Sequence, residues 1–359
     1  MCLLLTGAAI PLDDDGFGFS ELQQGGTVKV RINGKTVLGR PIEYNSQYLI
    51  MLRRDGRMLQ YQTSEIDDVT KVGNHFTPHS PLKLQEHYRK LFGNQYEVTR
   101  TRHYVVVHPK GLRKQWAEPF DRLHNRFSSY FGRRGYDLKE PEFPMVVVVF
   151  NSRSEFNSVA RKDGLSNPGS YAGYYSPTSN WVVTFRGSSP QGDANWEKNE
   201  TLIHEALHQY AFNRGIQQRW APTPKWCAEG LASMFEAPGV NNEAEHRKLK
   251  DRLNPIYVQL LKRMVTRDDF DGQIRQLVSS DRVFDEDIAT AYSLSWGLAF
   301  YLAESRKGEF NRYLQRIARR PMLANYTAND RIADFNESFG GSFEIFESHF
   351  KKYIEQLKL

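Results

Sequence analysis

Two histidines four residues apart, His204 and His208, carry the strongest structural information in this 359-residue sequence. The surrounding segment, residues 199–214, has the pattern of a helix, with Asn199 as a cap at its start and Gly215 as a stop at its end. Residues four apart lie only about 40° apart around a helix axis, so both imidazoles project from the same side. Two imidazoles placed in this way can reach one metal ion.

Glu205 follows the first histidine and lies about 100° further round the same helix. From there its carboxylate can reach a water molecule on the metal without ligating the metal. The spacing H-E-x-x-H is that of zinc metallopeptidases, in which zinc lowers the pKa of its bound water to about 7 and polarises the scissile carbonyl. Glu205 is then the predicted general base, which takes the water proton and returns it to the leaving amine. The alternative is two surface histidines on an ordinary helix.

A catalytic zinc ion normally has three protein ligands and one open position. The segment W-x-x-E-G-x-A, which begins at Trp226, indicates a second helix with Glu229 in its first turn, 21 residues after His208. A lone glutamate at a helix start usually complements the helix dipole. Here it follows H-E-x-x-H-Q, so we predict a zinc site formed by His204, His208 and Glu229.

The two motifs together resemble the gluzincin clan of zinc metallopeptidases, in which H-E-x-x-H precedes W-x-x-E-G-x-A by about twenty residues. The matching residues are His204, Glu205, His208, Gln209, Trp226, Glu229, Gly230 and Ala232. The spacing is slightly longer than in aminopeptidase N and its relatives, and the sequence upstream has no counterpart of their G-x-M-E-N motif. The resemblance therefore does not extend to aminopeptidase activity.

A longer stretch, about residues 95–320, is similar to a bacterial family of predicted gluzincins that is common in planctomycetes and is catalogued as a domain of unknown function. Segments that carry this likeness include TRHYVVVHP, HEALHQYAFN and WCAEGLASMFEAPG. The resemblance implies a zincin-like catalytic domain of the thermolysin and aminopeptidase type, and it supplies no substrate. It also implies that the hairpin at 171–185 borders the substrate cleft.

Three further residues need an interpretation. Tyr292 is a candidate donor to the transition-state oxyanion, because related enzymes draw a Tyr or His from this downstream helical region. The alternative is a core stripe of Tyr292, Trp296 and Phe300, spaced by four residues. His246 is a weaker candidate in a charged helical segment, and Cys227 is predicted to be a small buried residue beside the site.

Residues 25–75 predict a small all-β barrel of SH3-like or Sm-like type. The segment contains five short strand patterns, in which apolar and polar residues alternate. The dipeptides Asn33-Gly34 and Asp55-Gly56 mark tight turns between strands. Residues 76–359 are predicted to form the metallopeptidase domain, which makes the whole chain α+β. Its predicted parts are an α/β region at 76–198, the active-site helices at 199–237 and a helical region at 238–359.

Residues 1–24 are predicted to be an apolar and acidic tether. The opening MCLLLTGAAI lacks the basic start of a signal peptide. It is either the remnant of one, in which case the protein is exported to the periplasm or beyond the cell, or an ordinary disordered end. No apolar run approaches the ~20 residues of a membrane-spanning helix.

The formal net charge of +6 is spread along the chain, without the basic stripe interleaved with aromatics that nucleic-acid binding requires. We therefore expect a peptide or protein substrate, hydrolysed with the aid of zinc. Two alternatives stay open: an inactive zincin-fold scaffold or binding protein of the cell envelope, and a surface adhesion module dominated by the small barrel. The intact set of His204, Glu205, His208 and Glu229 favours the enzyme, because an inactive descendant commonly loses one of the four.

Overall fold

The computed structural model describes residues 26–188, 199–267 and 269–359. It has an α+β fold, with two β-sheets in the N-terminal half and a helical C-terminal part, as the sequence predicts. The predicted tether at 1–24 and the end of the predicted 76–198 region lie outside the described residues. The described chain forms two compact units: 26–118 with 141–188, and 119–140 with the residues from 199 onward. The domain boundary near residue 76 stays a prediction.

The first unit opens with a five-stranded antiparallel sheet in the order β4-β3-β2-β1-β5. Asn33 and Gly34 both have positive φ, 48° and 74°, which gives the tight hairpin turn that this dipeptide predicts. All five predicted strands are present, and the closure of the sheet into an SH3-like barrel stays a prediction. The strands are β1 (Thr27–Ile32), β2 (Lys35–Tyr44), β3 (Tyr48–Arg53), β4 (Met58–Gln62) and β5 (Ile66–Gly73).

A second sheet in the same unit has the order β6-β7-β8-β10-β9, with β7, β8 and β10 parallel and an antiparallel strand at each edge. Its central strands are runs of buried valines, typical of strands covered on both faces. The strands are β6 (Tyr96–Arg100), β7 (Tyr104–Pro109), β8 (Met145–Phe150), β9 (Gly173–Ser176) and β10 (Trp181–Phe185), and the helices of the unit are α1 (Pro81–Phe92) and α3 (Arg153–Lys162).

The second unit is helical. Helix α2 (Arg113–Arg133) belongs to it from Pro119 onward. The other helices are α4 (Glu200–Asn213), α5 (Lys225–Glu236), α6 (Pro238–Asn241), α7 (Pro255–Thr266), α8 (Gln273–Ser279), α9 (Val283–Glu286), α10 (Ile288–Ser305), α11 (Lys307–Ala318), α12 (Ala328–Phe339) and α13 (Phe343–Gln356).

Helices α5 and α10 approach each other closely because α5 has a glycine at the crossing. A Cβ atom at Gly230 would lie 2.2 Å from the backbone carbonyl oxygen of Ser295, so any larger residue would force the two backbones apart. This crossing brings Glu229, next to Gly230, up against α10. In the described part of the chain, no helix is both long and apolar enough to cross a membrane.

Candidate metal centre

Helix α4 presents its two histidines side by side. The side chain of Asn199 caps the helix by accepting a hydrogen bond from the Leu202 backbone N–H at 3.3 Å, as predicted. The Nε2 atoms of His204 and His208 lie 3.1 Å apart, and both residues are buried, with 7% and 3% exposure. The two ring nitrogens therefore face one point, and the reading of two ordinary surface histidines is wrong.

Glu229 completes the group from helix α5. Its carboxylate is fully buried, with Oε2 at 3.2 Å from Nε2 of His204 and Oε1 at 3.7 Å from Nε2 of His208. The sequence placed Glu229 in the first turn of its helix, which is wrong: α5 begins at Lys225, so Glu229 is its fifth residue. A carboxylate stabilises the N-terminal end of the helix dipole only from the first turn, so the dipole does not explain a glutamate at this position.

These three side chains fit a metal ion. Among the residues that the structure describes, their ligand atoms all lie within 4.8 Å of one another. The Oε1 atom of Glu229 is buried and accepts no hydrogen bond, an expensive state for a carboxylate oxygen unless a cation binds it. Two imidazole nitrogens and one carboxylate oxygen form a donor set of catalytic zinc sites.

Glu236 supports the cluster from behind. Its Oε1 lies 2.8 Å from Nδ1 of His204 and can accept the Nδ1–H proton, so that Nε2 is the ring nitrogen that faces Glu229 and is placed to bind a metal. The sequence motifs do not point to this residue, because the position one helical turn after Glu229 is Ser233, which carries no carboxylate. The helical spacing does indicate Glu236, which follows Glu229 by seven residues, or about two turns, and so lies on the same face of α5.

The charges in the cluster are strongly coupled. Burial by itself lowers the pKa of His204, but the carboxylates of Glu229 and Glu236 outweigh burial and raise that pKa. Burial likewise raises the pKa of Glu229, and the neighbouring histidines outweigh it and hold that pKa well below its usual value. The site therefore keeps Glu229 ionised, which a metal ligand requires.

Tyr292 reaches the same cluster from helix α10. Its hydroxyl donates a hydrogen bond of 2.9 Å to Oε2 of Glu229. Burial, with the charges of Glu229 and Glu205 nearby, raises the pKa of Tyr292, so the hydroxyl keeps its proton. The alternative prediction, a core stripe of Tyr292, Trp296 and Phe300, holds for two of its three residues. The rings of Trp296 and Phe300 are buried and stack with their centroids 5.2 Å apart, whereas Tyr292 makes a polar contact with the predicted metal ligand.

The remaining candidates are not among the clustered ligand atoms. Glu205 is buried on α4, and its carboxylate is not among the clustered ligand atoms. Cys227 is fully buried, and burial raises the pKa of its thiol, as expected for a small packed residue. His246 is half-buried after α6 and does not join the group.

Aromatic packing holds α4 and α5 in place. The ring of Phe235 on α5 lies 4.6 Å from Tyr130 and 5.3 Å from Phe131, both on α2. Phe131 also stacks on Tyr210 of α4, with ring centroids 5.9 Å apart. Helix α2 therefore joins the two helices that carry the histidines and Glu229.

Residues 198–324 match a family model described as a protein of unknown function (DUF1570). The match spans 127 of the 359 residues and includes all five predicted site residues. It is consistent with the resemblance to a family of unknown function that the sequence motifs indicate. No curated protein matches the chain.

Replacing Glu236 by Gln is expected to weaken zinc binding by roughly 10- to 100-fold, the usual effect of losing a carboxylate that orients a ligating histidine. The amide still fills the space, but it can present its NH₂ group to Nδ1 and no longer fixes the tautomer. The measurement is a zinc titration in competition with a chromogenic chelator. Glu245→Gln, at an exposed glutamate, is the matched control. Equal zinc affinity in Glu236→Gln and wild type would remove Glu236 from the site.

Proposed function

We propose that this chain is a zinc-dependent peptidase of gluzincin type. The observation that carries the proposal is the convergence of His204, His208 and Glu229 on one point, with ligand atoms within 4.8 Å. Glu205 lies on the same helix as the two histidines and is buried beside them. The proposal includes a zincin-like catalytic fold, in which α4 and α5 are the two active-site helices.

Each residue has a distinct part in the proposed hydrolysis. His204, His208 and Glu229 would hold the ion, with Glu236 orienting His204. Zinc bound there would supply Lewis-acid chemistry, lowering the pKa of a water molecule and polarising the substrate carbonyl. Glu205 accepts the proton of the attacking water and passes it to the nitrogen of the leaving amine as the peptide bond breaks.

The direct test is hydrolysis of a broad peptide library at neutral pH by the zinc-loaded protein. We expect cleavage that stops when a chelator removes zinc and returns when zinc is restored. A protein that holds zinc and cleaves no peptide would instead support the alternative of an inactive zincin-fold scaffold or binding protein.

Replacing Tyr292 by Phe separates its two roles. Phenylalanine fills the same space but lacks the hydroxyl that donates to Glu229. Because that hydrogen bond orients a predicted zinc ligand, we expect zinc binding to weaken by about tenfold. The oxyanion role predicts in addition a lower kcat when zinc is saturating, with little change in KM. Zinc affinity is measured by chelator competition and kcat at saturating zinc. If both stay at wild-type values, the hydroxyl has neither role.

A further inference from the structure

Lys225 lies one helical turn from the predicted ligand Glu229. It is the first residue of α5 and precedes Glu229 by four positions, so the two side chains leave the same face of the helix. The ammonium Nζ of Lys225 lies 4.4 Å from the ring centroid of Phe284. That ring makes an edge contact of 5.6 Å with the ring of Tyr292, whose hydroxyl binds Glu229. A short chain of contacts thus connects the lysine to the cluster.

The charge of Lys225 is not matched by a carboxylate. Among the described residues, no acidic oxygen forms an ion pair with its Nζ, which lies over the Phe284 ring. The carboxylate of Asp281 is close to the backbone, where it accepts the Lys225 N–H at 3.0 Å. Both oxygens of Asp281 are already paired with the guanidinium of Arg331, at 2.8 and 3.0 Å. The ammonium is therefore held in place with hydrogen-bonding capacity to spare.

Several acidic side chains lie at the cluster or beside it. Glu205, Glu229 and Glu236 surround the histidines, and burial together with Glu236 raises the pKa of Glu200 at the start of α4. A substrate carboxylate beside these acids is stabilised by a nearby cation. Lys225 offers such a cation, one helical turn from Glu229 on the same helix.

We propose that Lys225 binds a carboxylate of the substrate near the scissile bond. This inference rests on the proposed peptidase function and names its substrate class. Lys225 and Glu229 are one helical turn apart, about 5.4 Å along the helix axis. Because an extended peptide advances about 3.3 Å per residue, we place the carboxylate within a few residues of the scissile bond. It comes either from the free C-terminus of the peptide or from an Asp or Glu side chain.

The test uses binding of uncleavable probes to the zinc-loaded protein, measured by calorimetry. Four short peptide hydroxamates serve as probes. Two share one sequence and end in a free carboxylate or in an amide; two more end in an amide and carry Glu or Gln at the second position from the hydroxamate. We expect wild type to bind one carboxylate probe about tenfold or more tighter than its neutral partner, as for a hydrogen bond to a charged group. The pair that shows the difference identifies the source of the carboxylate.

Lys225→Met should abolish that preference while leaving the affinity for the neutral probes unchanged, since methionine keeps an apolar stem over Phe284. Lys225→Arg should retain it. Lys307→Met is the matched control, because Lys307 also begins a helix and is exposed. Melting temperatures check that each variant is folded.

The outcomes separate the inference from the proposed function. Tight binding of all four hydroxamates with no carboxylate preference overturns the role of Lys225 and leaves the metal site standing. A preference that persists in Lys225→Met also overturns it. Failure of every hydroxamate to bind the zinc-loaded protein would overturn the proposed function together with this inference.

Discussion

Glu205→Gln is expected to lower the rate of peptide hydrolysis by about 100-fold or more, with zinc content unchanged. Loss of a positioned general base typically costs this much. Glutamine matches glutamate in shape, so the buried position on α4 stays filled. The carboxylate of Glu205 is not among the clustered ligand atoms, so the three predicted ligands stay in place. The measurements are kcat and KM on a peptide from the library, zinc content and melting temperature.

Glu86→Gln, at an exposed glutamate of α1, is the control and should behave as wild type. Cleavage of the same peptide at the wild-type rate by Glu205→Gln would show that the hydrolysis takes place at another site. A loss of zinc in this variant would instead move Glu205 from the role of base to that of ligand.

Glu229→Ala is expected to bind zinc more weakly than Glu236→Gln does, because it removes a ligand rather than the partner of a ligand. It also removes the carboxylate that both histidine Nε2 atoms face. Binding to the native state alone stabilises a protein by about 4 kcal/mol when the ligand concentration is 1,000 times Kd. Zinc should therefore raise the melting temperature of wild type and leave that of Glu229→Ala nearly unchanged.

Glu229→Gln separates ligation from packing. It keeps the volume of the side chain in a fully buried position but replaces the carboxylate with a neutral amide, a poorer zinc ligand. We expect it to lose zinc as well, with less damage to the metal-free fold than alanine causes. Wild-type zinc affinity in both variants would place the third ligand elsewhere in the chain.

The sequence predicted the histidine pair well because helical periodicity is local. His204 and His208 stand on one side of any α-helix that spans them, whatever packs against it. The contribution of Glu229 depends on how α5 crosses α4, which no local pattern specifies. The combined motif predicted Glu229 as a ligand, but it placed this residue in the first turn of α5 instead of the second.

The contact between Tyr292 and Glu229 joins residues 63 positions apart and was not predicted. It depends on the close approach of α5 and α10 at Gly230, a tertiary feature. Glu236 lies seven residues after Glu229, a spacing that places both on one face of α5, but neither sequence motif includes it. In the second sheet, the valine runs of β7 and β8 are typical of buried strands, whereas β6, YEVTR, mixes polar with apolar residues and carries no such signal.

Metal content of the purified full-length protein tests the central claim most directly. After equilibration with excess zinc and removal of free metal by dialysis, elemental analysis should find one zinc per wild-type chain. It should find almost none in Glu229→Ala. Wild type that retains no zinc under these conditions would contradict the assignment of His204, His208 and Glu229 as a zinc site.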